Sequence, residues 1–183
     1  MVILTETEAL VTPRNPAAKH NFGPISFRED TLFTAERPGH PGTNGVPTEI
    51  VEDWIRFIKS QGISNVLIIM DENEFGVYEI DLKDFYQAAG LKVFHIPFSS
   101  PDCYERTMAL IEEMDRKGEK VVSHCTGGKG RCGRVACAWL CKKWNLSPLQ
   151  ASQEFIDQAE KRGLYRLGDV QKLKSWIGYT SCC

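Results

Sequence analysis

The sequence lacks the features of membrane, secreted and nucleic-acid-coating proteins. No stretch approaches the roughly 20 apolar residues that a membrane-spanning helix needs. The opening residues, MVILTETEAL, carry two acids and no base, which disfavours a secretory signal peptide. Lys and Arg number 22 against 24 Asp and Glu, a net charge of −2, so the basic excess of a nucleic-acid-binding domain is absent. We therefore expect a cytoplasmic protein without nucleic-acid partners or stable membrane insertion.

The sequence also lacks Cys-x-x-Cys spacings. Its seven cysteines are an odd number, and with no secretory leader expected they predict reduced thiols rather than a disulfide framework. Cys137 and Cys141 fall on an apolar helical stretch, where cysteine behaves as a small hydrophobic residue. A zinc site built from these two with His124, Cys125 and Cys132 is therefore disfavoured, and we predict no metal.

Strand and helix signals alternate along the chain. The continuous apolar run Val66–Met70 is typical of a strand covered on both faces. Further strands are predicted at Ile25–Arg28, Leu32–Ala35, Lys92–Ile96 and Val121–His124. Helical spacing of apolar residues predicts helices over 48–60, 78–89, 102–117, 131–144, 148–162 and 170–177. This alternation predicts an α/β fold with a mainly parallel central sheet and helices on both faces.

Length and composition favour a single domain. The chain has 183 residues, of which 42% are hydrophobic and 25% charged, as in ordinary globular proteins. Residues 1–24 hold three prolines and little periodicity, which predicts a loosely ordered N-terminal arm. Residues 25–183 are then predicted to form one domain.

Glycine and positive charge are concentrated between a predicted strand and a predicted helix. Four glycines at 127, 128, 130 and 133 let the backbone turn sharply and point successive N–H groups into one concavity, which binds anions. The N-terminus of the following helix adds partial positive charge at the same place. From Thr126 to Trp144 there are five Lys or Arg and no acid. The segment is therefore predicted to bind phosphate.

Cys125 stands at the start of this loop. Thiol pKa values fall from about 8.5 to roughly 3.5–7.5 at helix N-termini and beside cations, so Cys125 is predicted to ionise easily. A thiolate in a phosphate-binding loop is placed to attack phosphorus and form a phosphocysteine that water later hydrolyses. Arg131, six residues further on, has the planar fork that holds two phosphate oxygens at once.

The pattern His124-Cys125-x5-Arg131 resembles the cysteine-dependent protein tyrosine and dual-specificity phosphatase superfamily. Over residues 47–162 the chain is most similar to compact atypical dual-specificity or kinase-associated phosphatases. The resemblance implies that Cys125 is the nucleophile, that Arg131 binds phosphate, and that His124 supports the loop by hydrogen bonding. It also implies that no metal or cofactor is needed. The residues whose backbone N–H groups it assigns to phosphate binding are Thr126, Gly127, Gly128, Lys129 and Gly130.

One departure from the family pattern is Cys132. The family usually has Ser or Thr directly after the arginine, where the hydroxyl assists loss of the cysteine sulfur in the second step. A thiol is a weaker hydrogen-bond donor, so we predict slower breakdown of the phosphocysteine. Cys132 is also a candidate to trap an oxidised Cys125 as a disulfide. The alternative is that Cys132 is simply a small buried replacement.

A second departure concerns the general acid, which in the family is an Asp on the loop after the preceding strand. In the segment HIPFSSPDC the expected position falls on Ser100, and Asp102 lies two residues later. We predict Asp102 as the group that protonates the leaving oxygen. Its alternative role is to cap the following helix. Asp71 and Glu72, after the previous strand, are reserve candidates.

The substrate class depends on Lys129. Lipid phosphatases of the phosphatase-and-tensin kind carry Gly-Lys-Gly-Arg at this loop position, but Thr126 stands where they have a second lysine. We therefore predict a phosphorylated protein as substrate, phosphotyrosine foremost, with phosphothreonine or phosphoserine if the pocket is shallow. An inositol phosphate or phosphoinositide is the alternative substrate. A catalytically weak phosphate-binding module is the alternative function.

Two further patterns support weaker hypotheses. Glycines 128, 130 and 133 also satisfy the dinucleotide fingerprint, but they lie in the second half of the chain, and Glu154, the acid it needs, falls inside a predicted helix. The ending Ser181-Cys182-Cys183 resembles the tails that are geranylgeranylated in small GTPases of the Rab type. No large polybasic run accompanies it, so an unmodified tail is expected.

Overall fold

The computed structural model describes residues 3–178, arranged as two sheets and six α-helices. Cys182 and Cys183 lie outside the described residues. The strands are β1 (Ala9–Val11), β2 (Gly23–Pro24), β3 (Leu32–Glu36), β4 (Asn65–Ile68), β5 (Lys92–His95), β6 (Val121–Cys125) and β7 (Leu167–Asp169). The helices are α1 (Thr48–Ser60), α2 (Leu82–Ala88), α3 (Cys103–Lys117), α4 (Gly130–Trp144), α5 (Pro148–Arg162) and α6 (Val170–Ile177).

The main sheet has five strands in the order β2-β3-β6-β4-β5. The pairs β3–β6, β6–β4 and β4–β5 are parallel, and β2 is antiparallel to β3. Residues of α1 and α2 pack on one face of this sheet, and residues of α3 to α6 pack on the other. The predicted α/β fold is therefore confirmed. The central strand β6 is buried along its whole length and delivers its last residue, Cys125, to the carboxyl edge of the sheet.

Helix boundaries follow their capping residues. The Ser147 side chain accepts from the Gln150 N–H at the start of α5, and the Gln150 side chain accepts from the Ser147 N–H in return. Pro148 occupies the first helical position, where its missing N–H is not needed. Gly163 ends the helix with a positive φ of 65°. These local signals explain why α5 begins and ends where the sequence predicts.

Two predicted elements differ from the structure. The helix expected over 78–89 is shorter, because the Asp81 side chain accepts from two backbone N–H groups and starts α2 at Leu82. A 3₁₀ turn, Glu72–Val77, precedes it. The strand expected at Ile25–Arg28 is wrong: the paired residues are Gly23–Pro24, and the next four form a bend closed by the Ser26 hydroxyl.

The N-terminal segment is more ordered than the predicted arm of residues 1–24. Strand β1 pairs antiparallel with β7. Buried Thr12 receives a hydrogen bond from the Arg166 N–H at 2.8 Å, across 154 residues of chain. A partner so distant in sequence leaves no trace in local periodicity, so this contact is not predicted from the sequence. The domain boundary at residue 25 stays a prediction.

The helices of residues 3–178 include none that is both long and apolar enough to cross a membrane.

Candidate active site

The loop of residues 126–129 joins β6 to α4 and presses against the end of β3. Gly128 has a φ of +66°, and a Cβ at this position would lie 2.5 Å from the carbonyl carbon of Ala35. Both facts require glycine. On the same side, the Arg37 N–H donates to the Cys125 carbonyl oxygen at 2.9 Å and to that of Thr126 at 3.2 Å. The end of β3 thus shapes the turn that follows Cys125.

Cys125 is 97% buried at the bottom of this turn, and the Cys132 thiol donates to its sulfur over 3.4 Å. This bond is the largest cause of the lowered pKa of Cys125. Burial raises that pKa, but the N–H groups of Cys132 and Gly128 and the charge of Arg131 lower it further. Burial and the neighbouring sulfur raise the pKa of Cys132 well above its usual range. The pair therefore favours a thiolate at Cys125 and a protonated donor at Cys132.

The Arg131 guanidinium is held by Glu74, which sequence reasoning missed. Arg131 Nη2 donates to Glu74 Oε1 at 2.7 Å and to Thr126 Oγ1 at 2.9 Å, and Nη1 donates to Glu74 Oε2. The Thr126 hydroxyl donates to the same Glu74 oxygen at 2.6 Å. Glu74 lies 57 residues before Arg131, in the 3₁₀ turn after β4. A local signal exists: Asp71 and Glu74 form a capping box directly after a buried strand.

This contact fixes the charge of Glu74. Burial raises the pKa of Glu74, but hydrogen bonds from Arg131 and Thr126 outweigh that effect and lower it to about 2. The carboxylate in turn raises the pKa of the Arg131 guanidinium. Glu74 is therefore ionised near neutral pH and is a poor proton donor in this arrangement. It acts as a fixed anion that orients the arginine fork.

His124 is buried beneath the loop and stays neutral. Burial, together with the charges of Arg37 and Arg131, lowers the pKa of His124 to about 3. Its Nε2 lies 3.4 Å from the Tyr86 hydroxyl, and its ring meets Trp54 edge-on. These contacts make His124 a packed side chain of the core, while its predicted support of the loop stays a prediction.

The candidate acids lie at different distances from this centre. Asp102 is exposed at the start of α3, where it accepts from the Ser100 hydroxyl and lies 3.6 Å from Arg106. The Ser100 hydrogen bond lowers the pKa of Asp102. Within residues 3–178 no hydrogen bond or ion pair joins Asp102 to the phosphate loop. Asp71 is nearer: its Oδ2 is 3.9 Å from Arg131 Nη1, and its Oδ1 accepts from the Ser99 N–H at 2.9 Å.

Lys129 is at the opposite end of the loop from Thr126, the residue that contacts Glu74. The Lys129 side chain contacts Tyr165. Its Nζ donates to the Tyr165 hydroxyl at 2.6 Å and is 4.3 Å from the centre of the ring. The charges of Arg14, Arg37 and Lys129 add to burial in lowering the pKa of His40. The edge of the loop is thus cationic even though the chain is slightly acidic.

Across residues 3–178, no group of three or more His, Cys, Asp or Glu side chains is arranged to hold a metal ion. The five cysteines described are all free thiols (Cys103, Cys125, Cys132, Cys137, Cys141). Burial raises the pKa of both Cys137 and Cys141, so these two stay protonated on α4.

Comparison with known proteins places this geometry among phosphatases. A family model described as the DSP-PTPase phosphatase of polymorphic toxin systems matches residues 43–145, more than half of the chain. Mouse cyclin-dependent kinase inhibitor 3 is 32% identical over 110 residues, which are 55% of this chain and 50% of that protein. The chain thus spans about half the length of this curated relative.

Solved structures agree on the fold. Kinase associated phosphatase, carrying a serine in place of its catalytic cysteine, matches with a TM-score of 0.62 at 23% identity, covering 80% of this chain and 82% of that one. Tk-PTP in its active form gives 0.57 at 24% identity, covering 84% and 92%. PTPMT1 in complex with PI(5)P gives 0.59 at 12% identity, covering 86% and 94%. At these identities the likeness concerns the fold alone.

Proposed function

Because this chain belongs to the DSP-PTPase phosphatase family, a family of cysteine-based enzymes, we propose that it hydrolyses phosphomonoesters of phosphorylated proteins through a phosphocysteine. The observation that carries the proposal is the arrangement of Cys125 and Arg131 on one strand–loop–helix turn. The cysteine sulfur receives hydrogen bonds from Gly128 and Cys132, and the arginine fork is held in place by Glu74.

The first step forms a sulfur–phosphorus bond. The Cys125 thiolate attacks phosphorus, the bond from phosphorus to the leaving oxygen breaks, and a general acid protonates that oxygen. Backbone N–H groups of residues 126–130 and the Arg131 guanidinium hold the phosphoryl oxygens. In this structure the terminal nitrogens of Arg131 donate to Glu74, Thr126 and the Ile69 carbonyl oxygen, so holding two phosphoryl oxygens requires Arg131 to exchange some of these partners for phosphate.

The second step releases phosphate. Water attacks the phosphocysteine, the sulfur–phosphorus bond breaks, and Cys125 leaves as a thiolate. The same carboxylate that gave up its proton accepts one from the water. The Cys132 thiol, 3.4 Å from the departing sulfur, donates a hydrogen bond to it as negative charge develops.

A phosphorylated protein is the proposed substrate, with phosphotyrosine foremost and phosphothreonine or phosphoserine next. The match to a relative named for a cyclin-dependent kinase supports this choice. A phosphoinositide or inositol phosphate is the second candidate, which Lys129 in the loop favours. The test is phosphate release in excess EDTA from a phosphotyrosine peptide, a phosphothreonine peptide and a soluble phosphoinositide. Faster phosphate release from a phosphopeptide than from the phosphoinositide supports the proposal. Release from the phosphoinositide alone overturns the substrate choice.

Asp102 is the proposed general acid, and Asp71 is its rival because it lies nearer to Arg131. Asp102→Asn is expected to lower kcat about 100-fold on a phosphotyrosine peptide, whose leaving group needs a proton. The loss on p-nitrophenyl phosphate is expected to be far smaller, because p-nitrophenolate leaves without one. Asp71→Asn keeps the oxygen that accepts from the Ser99 N–H and is the matched control. If Asp71→Asn alone shows this leaving-group dependence, Asp71 is the acid.

Cys132→Ser is expected to speed the second step, because a hydroxyl is a stronger donor than a thiol toward the departing Cys125 sulfur. The measurement is the pre-steady-state burst of p-nitrophenol, whose size relative to the steady-state rate is expected to shrink. Cys141→Ser, the same substitution on a half-buried face of α4, is the control. An unchanged burst would mean that Cys132 only packs. Trapping of an oxidised Cys125 by Cys132 stays a prediction.

A further inference from the structure

A single buried asparagine connects the N-terminal segment to the phosphate loop. Asn21 is 98% buried and has a φ of +49°, a conformation that asparagine tolerates better than most residues. Its Nδ2 donates to the Gly127 carbonyl oxygen at 3.1 Å and to that of Tyr165 at 2.9 Å. Its Oδ1 accepts from the Tyr165 N–H at 2.8 Å. Both N–H donors of the side chain and one acceptor position of its oxygen are therefore used inside the protein.

The bond to the Gly127 carbonyl determines where the next N–H points. In a trans peptide the C=O of one residue and the N–H of the next point in opposite directions. With the Gly127 oxygen directed at Asn21, the Gly128 N–H points the opposite way, toward the inside of the loop, and it helps to lower the pKa of Cys125. Gly127 and Gly128 have the freest backbones in the loop, and a rotation of the peptide between them would turn this donor away.

The Asn21 backbone is held in turn by a hydrogen bond from Arg166. Its carbonyl oxygen accepts from Arg166 Nη2 at 2.8 Å, and the same nitrogen donates to the Thr34 carbonyl oxygen on β3 at 3.2 Å. Arg166 is fully buried. Asn21 also fixes the backbone of Tyr165, whose hydroxyl receives Lys129. Hydrogen bonds of Asn21 and Arg166 thus connect the loop, strand β3 and the segment before β7.

We propose that Asn21 is a positioning residue of the phosphate loop: it holds the Gly127–Gly128 peptide in the orientation that directs an N–H at the Cys125 sulfur and at bound phosphate. The inference deepens the proposed function and rests on it for the role of the loop. Asn21 has no hydrogen bond to Cys125 in the described structure, so it acts on the nucleophile through the backbone that it holds.

The test is the pH dependence of Cys125 alkylation by iodoacetamide, followed by mass spectrometry of the peptide that contains it. Asn21→Gly keeps the positive φ, removes the side-chain bonds to Gly127 and Tyr165, and adds no charge. We expect the alkylation midpoint to move upward by about one pH unit, because the thiolate loses an aligned donor. Inorganic phosphate is expected to inhibit this alkylation about tenfold less strongly, since the same N–H binds the phosphate oxygens.

Three variants make the result decisive. Asn145→Gly repeats the substitution at another positive φ, 53°, at the exposed far end of α4, and is expected to change nothing. Thr12→Val removes a buried hydrogen bond to the Arg166 segment without touching the loop, and is expected to lower the melting temperature while leaving the midpoint unchanged. Asn21→Ser, which also adds no charge, replaces the glycine variant if that one does not fold.

An unchanged midpoint in folded Asn21 variants overturns the inference, and so does an equal shift in Thr12→Val, which would make the effect one of general loosening. The readout needs no turnover. If the wild type releases no phosphate while the Asn21 variants still shift the midpoint, the proposed function fails and the positioning role stands.

Discussion

Replacing Cys125 with serine is expected to lower phosphate release by at least about 10⁴-fold. The hydroxyl of serine does not ionise near neutral pH, so the hydrogen bonds from Gly128 and Cys132 that stabilise a thiolate have no anion to act on. Because serine is slightly smaller than cysteine, the loop and Arg131 keep their arrangement. Binding of a phosphopeptide, measured by calorimetry, is therefore expected to persist in the inactive variant.

The control for this variant is Cys141→Ser, a thiol on the helix that follows the loop. Burial raises the pKa of Cys141 to about 11, so it contributes no thiolate near neutral pH. Its replacement is expected to leave turnover within about twofold of wild type, as surface and half-buried changes away from a site usually do. Turnover near the wild-type rate in Cys125→Ser would remove Cys125 from the mechanism.

The second large effect is expected for Arg131→Lys, with a fall in kcat/KM of about 10²–10³-fold. Lysine keeps the positive charge but loses the planar fork that holds two phosphoryl oxygens and Glu74 together. Glu74 then keeps its bonds from the Thr126 hydroxyl and the Asp71 N–H but has a mobile ammonium in place of the fork. The measurement is steady-state kinetics on p-nitrophenyl phosphate, whose leaving group needs no acid, so that only phosphate binding and transition-state stabilisation are compared.

Arg134→Lys is the matched control on the same helix. Arg134 lies over the Phe98 ring, with its guanidinium carbon 4.3 Å from the ring centre. In the described structure no hydrogen bond joins Arg134 to Glu74 or Thr126. Its replacement is expected to change kcat/KM by less than about threefold. A loss in Arg134→Lys as large as that in Arg131→Lys would contradict the assignment of the phosphate fork to Arg131.

The parts of the site that the sequence predicts are those encoded locally. The loop between β6 and α4 is a continuous segment in which glycines, a cysteine and an arginine stand at fixed spacing, so its geometry follows from backbone freedom and helix electrostatics. Helix α5 carries its own capping box and terminal glycine, and its predicted bounds hold for the same reason. Strand β4 has parallel neighbours on both sides, as the apolar run Val66–Met70 indicates.

The parts that the sequence does not predict depend on residues far apart in the chain. Glu74 reaches Arg131 across 57 residues, and Asn21 reaches Gly127 across 106. An acid after a strand and an asparagine in a proline-rich arm are each common features without chemical meaning of their own. Their roles depend on how the sheet brings distant turns to one edge.

The central claim is that a covalent phosphocysteine forms at Cys125, and trapping it is the most direct test. Wild-type protein in excess EDTA is mixed with a phosphotyrosine peptide, quenched with acid within the burst, and digested for mass spectrometry. Since the pKa of Cys125 is lowered to about 6, trapping is expected to rise with pH through that value. We expect one added phosphoryl group on the peptide that contains Cys125, and none in Cys125→Ser. Phosphate release at full rate with that peptide unmodified at every quench time would contradict it.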